Sequence, residues 1–208
     1  MGEIVVGVEV AAACVYGTSA VSKLCSVRAY RSFRAGFGRT ELAHRRLLPV
    51  VAAILAIGEA ASAALLTTAV VTIALSGSAG RSLSASALAV CWVLTAVLVA
   101  GVVKVISRGT AVRCACFGAS SETGPPLGTA HLVRNACLLA LVTAGLTDIL
   151  LADPPAGQGV LLGGCVAAAA GIVCALFLIR WEDIAYLVAP AAVAGPASHE
   201  RARAAGRR

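Results

Sequence analysis

Between Ser82 and Val103, and again between Gly159 and Ile179, the chain carries no charged side chain. A helix of about 20 apolar residues crosses a hydrocarbon layer roughly 30 Å thick, so each run is long enough to span a bilayer. Three further runs have the same reach. Ile4 to Ser22 contains Glu9, and a span within Leu47 to Leu75 contains Glu59. Leu132 to Leu151 has Arg134 near its start and Asp148 near its end, and its charge-free part is the shortest of the five. The expected fold is therefore all-α, a polytopic transmembrane helical bundle with a four-helix core and a fifth span.

Composition supports a lipid solvent. Of 208 residues, 59% are hydrophobic and only 13% charged, and the mean hydropathy is +0.90. A water-soluble domain of this size needs more polar surface to cover itself. The apolar mass is mainly Ala, Val, Leu and Gly, whose small members let helices approach closely in a bilayer. The net charge of +7 raises nucleic acid as a partner. The charges sit between apolar runs rather than along one face, which argues against it. The opening run lacks a basic flank and holds Glu3 and Glu9, unlike a cleaved signal peptide. Val6 stands where a myristoylation signal needs Ser or Thr.

Lys and Arg set an expected orientation. Lys23, Arg28, Arg31, Arg34, Arg39, Arg45 and Arg46 crowd the first connection, whereas "SGSAGR" holds only Arg81. Lys104, Arg108, Arg113 and Arg134 flank the third connection, and "ADPPAGQ" has no basic residue. The tail carries Arg180, Arg201, Arg203, Arg207 and Arg208. This alternation predicts a multi-pass protein of the inner (plasma) membrane with its N-terminus outside and its C-terminus cytoplasmic. In the first connection Tyr30, Phe33 and Phe37 recur at helical spacing among basic residues. That pattern fits either a short amphipathic helix on an anionic leaflet or a solvated basic loop. The chain divides into residues 1–151, an additional helix over 152–181, and a basic tail over 182–208 expected to be disordered.

Chemistry centres on "RCACFGASS", Arg113 to Ser121. Of the eight cysteines, Cys14, Cys91, Cys137, Cys165 and Cys174 fall within spans, where a thiol packs as a small hydrophobe. Cys25, Cys114 and Cys116 fall at segment ends, on the side expected to be cytoplasmic. The Cys114/Cys116 pair can close as a strained, easily reduced disulfide, pair with Cys25, or contribute to a soft-metal site. His131 is the nearest further metal ligand, at no matching spacing. Arg113 beside the pair favours thiolate, and Gly118 permits a tight turn. The alternative is a structural loop with unreactive thiols.

The remaining polar candidates are Glu9, Glu59, Lys23 and Arg134. Glu59 near the centre of a span costs about 2.5–3.5 kcal/mol on insertion scales, but little if the span begins close to it. Glu9 raises the same question; a carboxyl hydrogen-bonded inside the bundle answers both. Lys23 ends the first span, where a lysine ordinarily snorkels to the interface. Arg134 marks the start of the fourth span and can reach back to the cysteine loop. No dinucleotide fingerprint, P-loop or haem-attachment motif is present, so the sequence names no cofactor.

Taken in order, "SAVSKL", a basic amphipathic connection, "LLP", Glu59, "RCACFG" and "HLVRNACLL" resemble the methylamine utilisation protein MauE family of bacterial membrane proteins, grouped with DoxX-like redox-associated proteins. The resemblance covers roughly residues 1–150. It implies a four-helix membrane domain supporting maturation or export of a disulfide-containing partner, such as a methylamine dehydrogenase subunit. Cys114 and Cys116 match the family's dithiol, and Lys23, Glu59 and Arg134 match its polar positions. Ala20 replaces the family's usual Gly, and the fifth span and basic tail are additions. Disulfide formation belongs outside the cytoplasm, while the charge pattern puts the dithiol inside. The pair then either carries reducing equivalents from the cytoplasmic side, or sits on a loop that dips into the bundle and is reached from outside; otherwise the expected topology is wrong. The expected role is membrane thiol–disulfide exchange. A scaffold or permease-like component without thiol chemistry is the alternative. A quinone-coupled dithiol oxidase, resembling vitamin K epoxide reductase in principle, lacks that family's Cys-x-x-Cys here.

Overall fold

A computed structural model describes residues 2–76, 78–109, 128–151, 160–181 and 183–184. Among these residues six helices follow in order: α1 (Gly2–Leu24), α2 (Val27–Gly38), α3 (Leu48–Ser76), α4 (Ser78–Ser107), α5 (Thr129–Leu151) and α6 (Val160–Ile179). Among the described residues there is no strand. Five of the helices, all but α2, are long and apolar enough to cross a membrane. They correspond to the five runs read from the sequence: α1, α4 and α5 are a few residues longer than the runs at one or both ends, and α3 and α6 agree with theirs to within one residue. The protein is a multi-pass membrane protein.

Helices α1, α3, α4 and α5 form a closed four-helix arrangement, each packed on the next and α5 returning to α1, while α6 packs chiefly on α1. That makes α1 the central rod. Half of its spanning window is buried inside the protein, against 17–28% for the other four. Small residues fill the interior: Ala11, Ala12, Ala52, Ala56, Ala69 and Ala87 are fully buried. Large apolar side chains face outward instead, including Leu75, Leu151 and Leu162 at about four-fifths exposure. In water such a surface would aggregate; in hydrocarbon it is the solvated face, and close packing of small residues holds the helices together.

Two glycines mark close approaches to α1. A Cβ at Gly171 of α6 would collide with the backbone oxygen of Gly7, so α1 and α6 meet backbone to backbone. A Cβ at Gly145 of α5 would stand 2.8 Å from the Val8 side chain of α1. Hydroxyl side chains in the spans bond back to their own helix, as Thr67 Oγ1 does to Ala63 O (2.8 Å) and Thr143 Oγ1 to Leu139 O (2.7 Å), which satisfies them where no water reaches. At one end of the bundle Arg81 Nη2 donates to Ile149 O at 2.6 Å, satisfying a carbonyl of the last turn of α5 that has no helical donor.

The basic connection resolves into helix for residues 27–38. Ser26 caps it, accepting from Ala29 N–H at 3.1 Å. Phe33 and Phe37 stack with ring centroids 6.2 Å apart, and Phe33 packs with Ala52 and Ala56 of α3. The aromatic stripe is therefore an inward face against α3. The thiols divide. Cys91 is fully buried and Cys14 and Cys174 partly so, but Cys137 and Cys165 are exposed on the outer surface rather than packed inside. Arg113, Cys114, Cys116 and the basic tail beyond residue 184 lie outside the described residues.

Candidate functional site

Lys23 sits in the last turn of α1. Glu59 lies roughly 16 Å along α3 from Leu48, at 1.5 Å per residue. The end of α1 thus stands beside α3 about three turns from the start of that helix. Lys23 Nζ forms an ion pair with Glu59 Oε2, and both side chains are 4% exposed. Ser19, one turn back on α1, accepts from Lys23 Nζ at 2.9 Å and donates to Glu59 Oε2 at 3.0 Å. The Lys23 ammonium also stands 4.9 Å from the centroid of the Phe33 ring, a cation–π contact supplied by α2. Snorkelling is thus the wrong expectation for Lys23: it turns inward because a carboxylate, a hydroxyl and an aromatic face replace its water.

These groups form one wall of a cavity of about 470 Å³. Its lining comes from the C-terminal half of α1, from α2 and the chain after it, from the N-terminal half of α3, the C-terminal half of α4 and the start of α5. Most of the lining is apolar, including Val51, Leu55, Val97, Leu98 and Leu138. The polar lining is concentrated in Lys23, Glu59, Ser19, Tyr16, His131, Arg134 and Asn135. His131 and Arg134, one turn apart on α5, are 3% and 5% exposed, so Arg134 near the start of that span faces inward. An apolar chamber with a few convergent polar groups is the usual form of a small-molecule or side-chain binding site. Arg134 lies close enough to Lys23 for their like charges to interact, which leaves Glu59 placed to offset a cationic wall.

One further polar contact lies deeper. Tyr16 Oη hydrogen-bonds to Thr95 Oγ1 and donates to Cys91 O at 3.1 Å, tying α1 to α4. Tyr16, Ser19 and Lys23 lie three and four residues apart, on one face of α1. That spacing is the signal by which Tyr16 and Ser19 could have been read from the sequence.

The structure therefore brings Lys23, Glu59 and Arg134 into one site and adds Ser19, Tyr16, Phe33, His131 and Asn135. Cys25 is an exposed free thiol just after α1, and it does not line the cavity. Val105, near the end of α4, and His131, near the start of α5, both line it. Among the described residues no group of three or more His, Cys, Asp or Glu side chains could hold a metal ion.

No curated protein and no solved structure matches the chain. A family model does, over residues 1–148, the stretch that holds α1 to α5 up to the last turn and every described residue of the cavity. That family is described as methylamine utilisation protein MauE, and the chain belongs to it.

Proposed function

We propose that this MauE-family membrane protein supports the maturation of a disulfide-containing exported partner by thiol–disulfide exchange at Cys114 and Cys116. The observation that carries the reading is the clustering of Lys23, Glu59 and Arg134 on one cavity whose lining includes Val105 and His131, from the helices that precede and follow the Arg113–Cys116 motif in sequence. A cationic wall near a dithiol favours thiolate over thiol. In the exchange, a thiolate of the pair attacks one sulfur of a partner disulfide and forms a mixed disulfide. The second cysteine then displaces the partner thiol. Two electrons and two protons pass to the partner, and Cys114–Cys116 is left oxidised. The Lys and Arg alternation supports an inner-membrane location with the motif on the cytoplasmic side, so the pair would draw its reducing equivalents from there. A methylamine dehydrogenase subunit is one partner of the required kind.

The test is trapping. Cys114→Ser and Cys116→Ser, made singly, should each accumulate or abolish a mixed disulfide with the partner and change its oxidation state. If both variants leave partner oxidation as in the wild type, the thiol role is lost.

A scaffold without thiol chemistry is favoured by a different observation: the Lys23–Glu59 pair closes on itself through Ser19 and locks α1 to α3. Alkylation of the folded protein separates the readings. Under the redox reading Cys116 reacts with a maleimide after reduction and not after oxidation; under the scaffold reading its reactivity is the same in both.

A further inference from the structure

The cavity is not sealed inside the bundle. Val97 of α4 lines it and is 55% exposed. Val93 and Val90, also exposed, lie one and two turns back on the same face of α4. That stripe belongs to a helix long and apolar enough to span, so the solvent along it is hydrocarbon. The chamber therefore meets the lipid-covered surface at Val97, and a ligand can enter it sideways from the bilayer.

Its walls divide by chemistry. Leu55 of α3, Leu98 and Val102 of α4 and Leu138 of α5 supply apolar surface. The polar wall is rich in donors. Lys23 Nζ has three N–H groups and spends two on Ser19 Oγ and Glu59 Oε2. Arg134 brings five N–H groups in a planar fork, more than any single partner takes up, and Asn135 beside it brings an amide. Among the described lining residues Lys23 and Arg134 carry full positive charges and Glu59 alone a negative one. The two cations feel each other, and an anion placed between them relieves that repulsion.

We propose that the cavity binds a single-chain amphiphile with an anionic headgroup, taken from the bilayer. The headgroup accepts from Arg134 and Lys23, and the chain runs along Leu98 and Leu138 toward the opening at Val97. A volume of about 470 Å³ lies in the lower half of the range of about 300–1,000 Å³ usual for ligand sites, which suits one chain rather than the two of a membrane phospholipid. A small water-soluble anion would leave the apolar walls uncovered, and an uncharged lipid would leave the cationic wall unmet. A long-chain carboxylate is the simplest ligand of this class, and a monoalkyl phosphate shares its headgroup chemistry. Binding makes and breaks no covalent bond and needs no thiol, so the proposal goes beyond the exchange reading and survives its failure.

Photolabelling of the full chain in phosphatidylcholine nanodiscs tests it, with a palmitate analogue carrying a diazirine in its chain as the probe. Labelling at Leu98 and Val102 should saturate, while labelling at Leu162 and Val166 on the exposed face of α6 should rise in proportion to the probe. Unlabelled palmitate should compete at the saturable site. Hexadecanol should compete about tenfold more weakly, because it lacks the charge that Arg134 meets. Competition by hexadecyl phosphate would support an anionic site of either kind, and its failure would support one limited to carboxylates. Arg134→Gln should weaken the saturable labelling about tenfold, and Arg134→Lys should keep most of it. If Arg134→Gln folds poorly, Val97→Trp at the lipid-facing opening serves instead: it should cut labelling at Leu98 and spare that at Leu162. Labelling at Leu98 that never saturates, or hexadecanol competing as well as palmitate, would overturn the proposal. Unchanged labelling in both Arg134→Gln and Val97→Trp would do the same.

Discussion

Lys23 and Glu59 are each unremarkable as residues and expensive as a pair. Taking both charges out of water costs several kcal/mol per ion, and the pair recovers it only because Ser19 and the Phe33 ring complete the shell. Removing one partner strands the other. Lys23→Met should therefore destabilise the protein by about 3–5 kcal/mol, while Lys23→Met with Glu59→Met should recover most of that loss, measured by thermal unfolding in detergent and read as a double-mutant cycle. Tyr16→Phe should cost about 1 kcal/mol in the same assay, because Thr95 keeps its own bond to Cys91 O. The sequence marks Lys23, Glu59 and Arg134 as polar groups in apolar surroundings, and that much is visible in one dimension. Their meeting is not, since it depends on how far α1 and α3 are rotated and slid against each other. Tyr16 and Ser19 went unread for a related reason: a hydroxyl in a span usually bonds its own helix, and only the bundle shows that these two reach across it.

At the scale of elements, the five spans are the most legible feature of the chain, because hydrocarbon demands long unbroken apolar runs and tolerates nothing else. The aromatic spacing of Tyr30, Phe33 and Phe37 offered a helix or a loop; the helix forms because Phe33 has a groove to enter over Ala52 and Ala56 and a cation to cover. Phe33→Ala should cost about 1–2 kcal/mol, more than a surface aromatic of an interfacial helix, with thermal unfolding as the measurement. Placement of α6 is the least legible element-level fact. Nothing in a uniformly apolar run says which neighbour it touches, and the answer rests on Gly7 and Gly171. Gly171→Leu should part α6 from α1 and leave the other four spans associated. The readout is a rise in maleimide labelling of Cys174, which is partly buried against the core in the native protein.

For the whole molecule, the distribution of basic residues sets an expected sidedness that a described thiol can report. Cys25 is exposed and lies two residues after Lys23 at the basic end of α1. A membrane-impermeant maleimide should label it in inverted vesicles and not in intact cells; labelling from outside cells would reverse the orientation. The cavity opens among chain ends from the same half of the bundle, so its sidedness follows from the same measurement. Helix α1 has one more consequence, and it concerns the order of events during synthesis. It leaves the ribosome before α3 and α4, yet it carries Glu9 within its span, a charge penalised by about 2.5–3.5 kcal/mol near the middle of an isolated helix, and holds Lys23 in its last turn. The groups set beside them, Glu59 at Lys23 and Ser84 at Glu9, belong to α3 and α4. This helix must therefore linger at the translocon or the membrane surface until they arrive, and a ribosome stalled after α2 should release a chain that washes off the membrane with carbonate.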